Sequence, residues 1–93
     1  MTWKMTESRD MNDRFRSLYG VPAASDLRCV SYTASFGGGT QNWEHHEIDG
    51  NGRLIATYLS YYAESSSEVM SRYRKYDSSG SLVEDKWLPT VIP

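Results

Sequence analysis

Four short stretches of turn-forming residues constrain this chain most, because they separate five segments in which apolar and polar residues alternate. The stretches are Gly37–Thr40, Gly50–Gly52, Ser65–Ser67 and Ser78–Gly80. Glycine, asparagine and serine favour tight turns, and such short connections join only antiparallel strands. The sequence therefore predicts an antiparallel meander over residues 27–88. Its predicted strands are 27–36, 41–49, 53–63, 69–77 and 81–88.

An amphipathic helix is predicted before the first strand. Its apolar residues recur at the spacing of one helical face, namely Met11, Phe15, Leu18 and Tyr19. Gly20 favours the left-handed conformation that ends a helix, and Pro22 prevents the helix from resuming. The pattern predicts a helix over residues 7–19.

The length and composition allow one small domain. The chain has 93 residues and a net charge of −2, and aromatic residues make up 13% of it. Each aromatic ring can bury roughly 150–250 Å², which compensates for a small number of aliphatic residues. We expect one α+β domain over 1–93, an N-terminal helix packed on one face of a five-stranded antiparallel β-meander. Residues 1–6 are expected to be frayed and 89–93 to form a tail.

Two of the turns share a sequence pattern. Residues 49–54 and 77–82 both read Asp-x-x-Gly-x-Leu. The pattern resembles the Tyr-Asp turns of YD-type repeat proteins, and no function is carried over from that resemblance. A type I turn followed by a glycine bulge produces it, so we expect two similar hairpin turns at one end of the meander.

The strand register decides which side chains share a face of the sheet. The pairs expected from the turn lengths are Asp49 with Arg53, Glu64 with Glu68, Asp77 with Ser81, and Phe36 with Gln41. They place an apolar set on one face, which we predict to be the core beneath the helix. Its members are Val30, Tyr32, Ala34, Trp43, Ile55, Leu59, Tyr61, Ala63, Val69, Tyr73, Val83 and Trp87.

The opposite face, for which no second helix is predicted, is rich in Tyr, Arg and Met. These residue types are enriched at protein interfaces, although Tyr also suits any half-buried sheet surface. One predicted cross-strand row reads Glu44, Tyr58, Arg74, Glu84, with opposite charges beside each other. We predict that this uncovered face binds protein through Tyr58, Tyr62, Arg72, Arg74, Tyr76, Glu44 and Glu84.

Composition also bears on location and partners. No apolar run approaches the roughly 20 residues that cross a membrane, and the first ten residues lack the apolar segment of a secretory signal. A single cysteine, Cys29, cannot form an internal disulfide. The near-neutral charge argues against a protein whose whole surface binds nucleic acid. We expect a cytoplasmic protein without a membrane partner.

The sequence contains no catalytic or cofactor signature. His45 and His46 are adjacent on a predicted strand, so their side chains point to opposite faces and cannot share one metal ion. No Gly-x-Ser-x-Gly elbow is present, and Gly37–Thr40 lacks the Gly-Lys-Ser/Thr ending of a phosphate loop. We predict neither an enzyme nor a bound cofactor or metal.

The functional prediction is therefore a small non-catalytic adaptor or regulatory protein. Its partner is another protein, or a second copy in a homodimer. One alternative is single-stranded nucleic-acid binding through Arg72-Tyr73-Arg74-Lys75-Tyr76, although the predicted carboxylates beside Arg74 oppose it. A second alternative is a half-barrel that binds a small ligand.

Overall fold

A computed structural model describes residues 9–35, 39–64 and 69–88 of the chain. Helix α1 comes first and spans Arg9–Tyr19. The strands that follow are β1 Asp26–Ala34, β2 Thr40–Ile48, β3 Leu54–Glu64, β4 Val69–Asp77 and β5 Leu82–Leu88. The predictions made for residues 1–6, for the first residues of the helix and for the tail 89–93 lie outside the described residues.

The strands form one antiparallel sheet of five strands in chain order, from β1 to β5. Each strand therefore pairs with its neighbours in sequence, as predicted from the short connections. With one short helix in the described ranges, the fold is a small α+β or mostly-β fold. No helix in these ranges is long and apolar enough to cross a membrane.

Helix α1 ends at the predicted glycine. Gly20 has a φ of 73°, a left-handed conformation that side chains disfavour. The N–H groups of Gly20 and Val21 donate to the carbonyl of Arg16, at 2.9 and 3.0 Å. These bonds satisfy a terminal carbonyl of the helix and turn the chain towards β1.

The two Asp-x-x-Gly-x-Leu turns have the same geometry, which confirms the predicted pair of hairpins. The N–H of Asp49 donates to the carbonyl of Arg53 at 2.9 Å, and the N–H of Gly52 donates to the carbonyl of Asp49 at 3.0 Å. The equivalent bonds in the turn at Asp77 are also 2.9 and 3.0 Å long. Each aspartate carboxylate also accepts two backbone N–H bonds within its own turn. The aspartate thus closes the turn that the glycine permits.

We expect Gly52→Ala to lower the free energy of unfolding by about 1–2 kcal/mol, because a side chain in the left-handed region costs about that much. The φ of Gly52 is 83°, and a Cβ there meets nothing within 4 Å, so the loss would be conformational. Gly50→Ala is the matched control in the same turn, where a Cβ also meets nothing within 4 Å. Urea denaturation measures both variants. Equal losses would contradict a special role for Gly52.

A β-bulge interrupts three of the four strand pairs. Val30 is the extra residue on β1, because Cys29 pairs with His45 and Ser31 with Glu44. Ile55 on β3 and Val83 on β5 are the other two extra residues, at equivalent positions after the two repeated turns. All three side chains are exposed.

The core lies between α1 and one face of the sheet. Its buried apolar members are Phe15, Tyr19, Leu27, Trp43, Ala56, Tyr58 and Tyr73. The rings of Tyr19 and Tyr58 stack with centroids 4.1 Å apart. The predicted helical stripe is therefore confirmed at Phe15, Leu18 and Tyr19, with Leu18 packed at the edge of the cluster. The side chain of Met11 lies outside the described part of the molecule.

The bulges reverse the predicted faces of β3 and β5. The predicted register contains no extra residue after either repeated turn, so it assigns the later residues of both strands to the wrong face. Members of the predicted core that are exposed instead are Val30, Ala34, Ile55, Leu59, Val83 and Trp87. The faces predicted for β2 and β4 are correct, since Trp43 and Tyr73 are buried.

Two predicted strand pairings are also wrong. Glu64 pairs with Val69, so β3 and β4 are shifted by one residue from the predicted register. Gln41 pairs with Ala34, two residues from the predicted partner Phe36, which lies outside the described residues. A shift of two residues between β1 and β2 does not change the face on which a side chain lies. The shift of one residue between β3 and β4 cancels the reversal of β3, so the side chains of β4 lie on their predicted face.

Candidate functional site

The side of the sheet opposite α1 is covered by no other described element. Because side chains alternate along a strand, the neighbours of the buried residues point to this side. We call it the open face. On β2 to β5 its members include Asn42, Glu44, His46, Thr57, Leu59, Tyr61, Met70, Arg72, Arg74, Tyr76, Asp85 and Trp87.

One carboxylate joins two arginines on the open face. Nε and Nη2 of Arg72 donate to the two oxygens of Asp85, at 2.8 and 2.7 Å. Nε of Arg74 lies 3.5 Å from the same carboxylate. The bidentate bond lowers the pKa of Asp85 and raises the pKa of Arg72. Since Asp85 serves both guanidinium groups, β4 and β5 keep an excess of positive charge here.

Trp87 adds a large apolar surface beside these charges. The guanidinium carbon of Arg72 lies 4.8 Å from the centroid of the Trp87 ring, a cation–π contact. Trp87 is 59% exposed and Leu59 is 40% exposed. A shallow depression of about 350 Å³ is lined by Leu59, Tyr61 and Trp87 and by the two arginines. Its open shape suits side chains of a partner molecule better than an enclosed ligand.

Strand β2 carries the opposite charge. Nε2 of His46 donates to Oε2 of Glu44 at 2.9 Å, and both side chains remain partly exposed. Strand β3 lies between β2 and β4 and presents Leu59 and Tyr61. On the open face the carboxylate of Glu44 and the guanidinium groups of β4 therefore lie on opposite sides of the apolar side chains of β3.

The covered face holds a buried polar network. The hydroxyl of Tyr19 bonds to Oγ of Ser60 and lies 3.2 Å from Nδ1 of His45. The hydroxyl of Tyr58 donates to Oε1 of Glu47 at 2.7 Å. Burial lowers the pKa of His45 to about 4 and raises the pKa of Tyr19 and Tyr58. These groups are buried, and the bonds of Tyr19 connect α1 to the sheet.

The structure places four of the seven predicted binding residues on the open face, namely Glu44, Arg72, Arg74 and Tyr76. The predicted positions of the other three are wrong. Tyr58 is only 1% exposed, and Tyr62 packs against the core cluster. Glu84 accepts a bond from the hydroxyl of Tyr73 at 2.8 Å on the covered side, where burial and this bond raise the pKa of Tyr73 to about 12. All three belong to β3 or β5, the strands that the bulges reverse.

The open-face residues that sequence reasoning missed include Leu59, Tyr61, Asp85 and Trp87. The predicted row Glu44, Tyr58, Arg74, Glu84 is in fact Glu44, Leu59, Arg74, Asp85. A signal for the reversal exists in the sequence. Each repeated turn is followed by two apolar residues, Leu54-Ile55 and Leu82-Val83, and such a break in alternation is typical of a bulge.

Other chemistries find less support in the described ranges. His45 is buried and His46 lies on the open face, so the two point in opposite directions as predicted. No group of three or more potential metal ligands occurs among the described residues. Burial raises the pKa of Cys29, which disfavours its thiolate.

The proposed nucleic-acid segment is split between the two faces. Tyr73 is buried in the core, and the Lys75 ammonium lies 5.6 Å from the ring of buried Tyr58. Only Arg72, Arg74 and Tyr76 of that segment share the open face.

Comparison of the chain with protein-family models, with curated proteins and with solved structures finds no match.

Proposed function

We propose that this protein is a small adaptor or regulatory module, without catalysis of its own, that binds protein through the open face. The observation that carries the proposal is the exposure of Trp87 and Leu59 beside the Arg72–Asp85 pair. Tryptophan and arginine are the residue types that most often dominate binding energy at interfaces. The single cysteine favours a reducing compartment, and we place the protein in the cytoplasm.

Preorganisation supports this function. Arg72 is held by two bonds to Asp85 and by the ring of Trp87, so little side-chain freedom remains to be lost when a partner binds. The sheet beneath these residues is continuous on both sides of β4. The open face thus presents anchors of fixed geometry on a rigid support.

Charge balance favours protein over nucleic acid as the partner. Asp85 engages both arginines, and Glu44 lies two strands from Arg74 in the same cross-strand row. A phosphate backbone laid on the open face would meet both carboxylates. Nucleic-acid binding would appear as an affinity that falls steeply with salt and is lost after nuclease treatment.

We expect Leu59→Asp to abolish protein capture, because it places a charge at the centre of the open face. The experiment uses the full chain as bait in a nuclease-treated lysate, with an untagged copy of the chain added. Ala23→Asp is the matched control, since Ala23 is exposed on the connector before β1. Circular dichroism checks that both variants are folded. Capture of the same proteins by Leu59→Asp and wild type would refute binding through this face.

A further inference from the structure

Two opposite charges of the open face lie on either side of β3. Glu44 on β2 pairs with Leu59 on β3, and Leu59 pairs with Arg74 on β4. Glu44 and Arg74 thus flank Leu59 in one cross-strand row. Within the described part of the chain they do not bond to each other, because the bond of Glu44 goes to His46 and that of Arg74 to Asp85.

A two-fold axis parallel to β3 would make this arrangement self-complementary. When two such sheets stack face to face about that axis, β2 of one protomer lies over β4 of the other. Glu44 of each protomer then faces Arg74 of the other, and Leu59 faces its own copy. Asn42 faces Arg72 in the next row. Reciprocal contacts of this kind define an isologous dimer interface.

We propose that a second copy of this chain occupies the open face, in a face-to-face dimer whose two-fold axis runs along β3. The inference rests on the proposed function and names its partner. An acidic partner would attract the arginines but would place a like charge opposite Glu44. A basic partner would attract Glu44 but would place a like charge opposite the arginines. A second copy, turned about β3, satisfies both charges at once.

The size of the open face is adequate for such a dimer. Five strands about 4.8 Å apart, each with about eight residues at about 3.3 Å, give roughly 600 Å² in projection. The uneven surface of the side chains has a larger area than this projection, closer to the roughly 800 Å² that each partner buries in a standard interface. Aligned sheets pack about 10 Å apart, a separation that a glutamate and an arginine can bridge.

Charge reversal tests the dimer. Sedimentation equilibrium measures dimerisation of the wild type, Glu44→Arg and Arg74→Glu, each alone. We expect each variant to dimerise at least about tenfold more weakly, because like charges then face each other twice across the interface. An equal mixture of the two variants should recover dimers, since all four charges are then matched. Arg14→Glu is the matched control, because Arg14 is exposed on α1 on the other side of the sheet.

The mixture also shows that both variants are folded and competent. A monomeric wild type, or a mixture that stays monomeric, would overturn the dimer. Loss of dimer in Arg14→Glu would overturn the assignment of the interface to the open face. The proposed function is tested separately, because Leu59-dependent capture of a different protein by a monomeric chain would leave it intact.

Discussion

Phe15→Ala is expected to lower the free energy of unfolding by about 3–5 kcal/mol, the usual cost of removing a buried phenylalanine side chain. Phe15 is 2% exposed, and its ring lies 4.3 Å from the His45 ring and 5.2 Å from the Trp43 ring, centroid to centroid. Its ring thus packs α1 against β2. Since a small domain is stable by only about 5–15 kcal/mol, this variant should unfold at much lower urea concentration.

Leu59→Ala is the informative control for that experiment. The sequence alone places Leu59 in the core, whereas the structure exposes 40% of it on the open face. We expect Leu59→Ala to cost no more than about 1 kcal/mol at protein concentrations too low for self-association. A loss as large as that of Phe15→Ala would show that the helix covers the other face of the sheet.

The contrast between these two residues shows what the sequence could predict. Local chemistry decides the helix end at Gly20 and the hairpins at Asp49 and Asp77, and those predictions are confirmed. The short connections decide the order of the strands, which is confirmed as well. These features depend on a few neighbouring residues with strong conformational preferences.

The faces of β3 and β5 depend on something less local. One extra residue in a strand moves every following side chain to the other face, at little cost in hydrogen bonding. Apolar residues stand on both faces of β3, for example Leu59 beside Tyr58, so alternation alone does not select the buried one. The packing of Tyr19 on Tyr58 makes that choice in the folded protein.

Whether a residue of the candidate site could be predicted therefore depends on the strand that carries it. Arg72, Arg74 and Glu44 are correctly placed because they lie on β2 and β4. Trp87 and Asp85 could be found only after the bulge at Val83 was recognised. The predicted row and the observed row both end in a carboxylate beside Arg74, because Asp85 lies at the position predicted for Glu84.

Acidification is expected to destabilise the protein through His45. Burial, and secondarily the neighbouring His46, lowers the pKa of the His45 imidazole from 6.5 to about 4. Between these values the unfolded chain binds a proton that the folded chain excludes, so stability falls as the pH falls. A shift of this size corresponds to about 3 kcal/mol, lost between about pH 7 and pH 4. Below pH 4 both states are protonated and the effect of His45 ends.

The acidic groups act in a different pH range. A hydrogen bond from Tyr73 lowers the pKa of Glu84 below 4.5, and the bond from Arg72 lowers the pKa of Asp85 below 3.8. Their contributions are present above those unfolded values and are lost only at more acid pH. A decline in stability that begins near pH 6.5 lies outside the range of these carboxyl groups, and replacement of His45 tests whether its imidazole causes the decline.

His45→Gln should flatten the decline, because a glutamine side chain can still accept a bond from the hydroxyl of Tyr19 but does not titrate. Urea denaturation at a series of pH values measures the slope for the variant and for the wild type, whatever the absolute stability of each. An equal slope in His45→Gln and the wild type would mean that protonation of His45 does not oppose folding. The neutral imidazole of His45 contacts Phe15 and the hydroxyl of Tyr19, both on α1. Its protonation would therefore weaken the packing of the helix on the sheet.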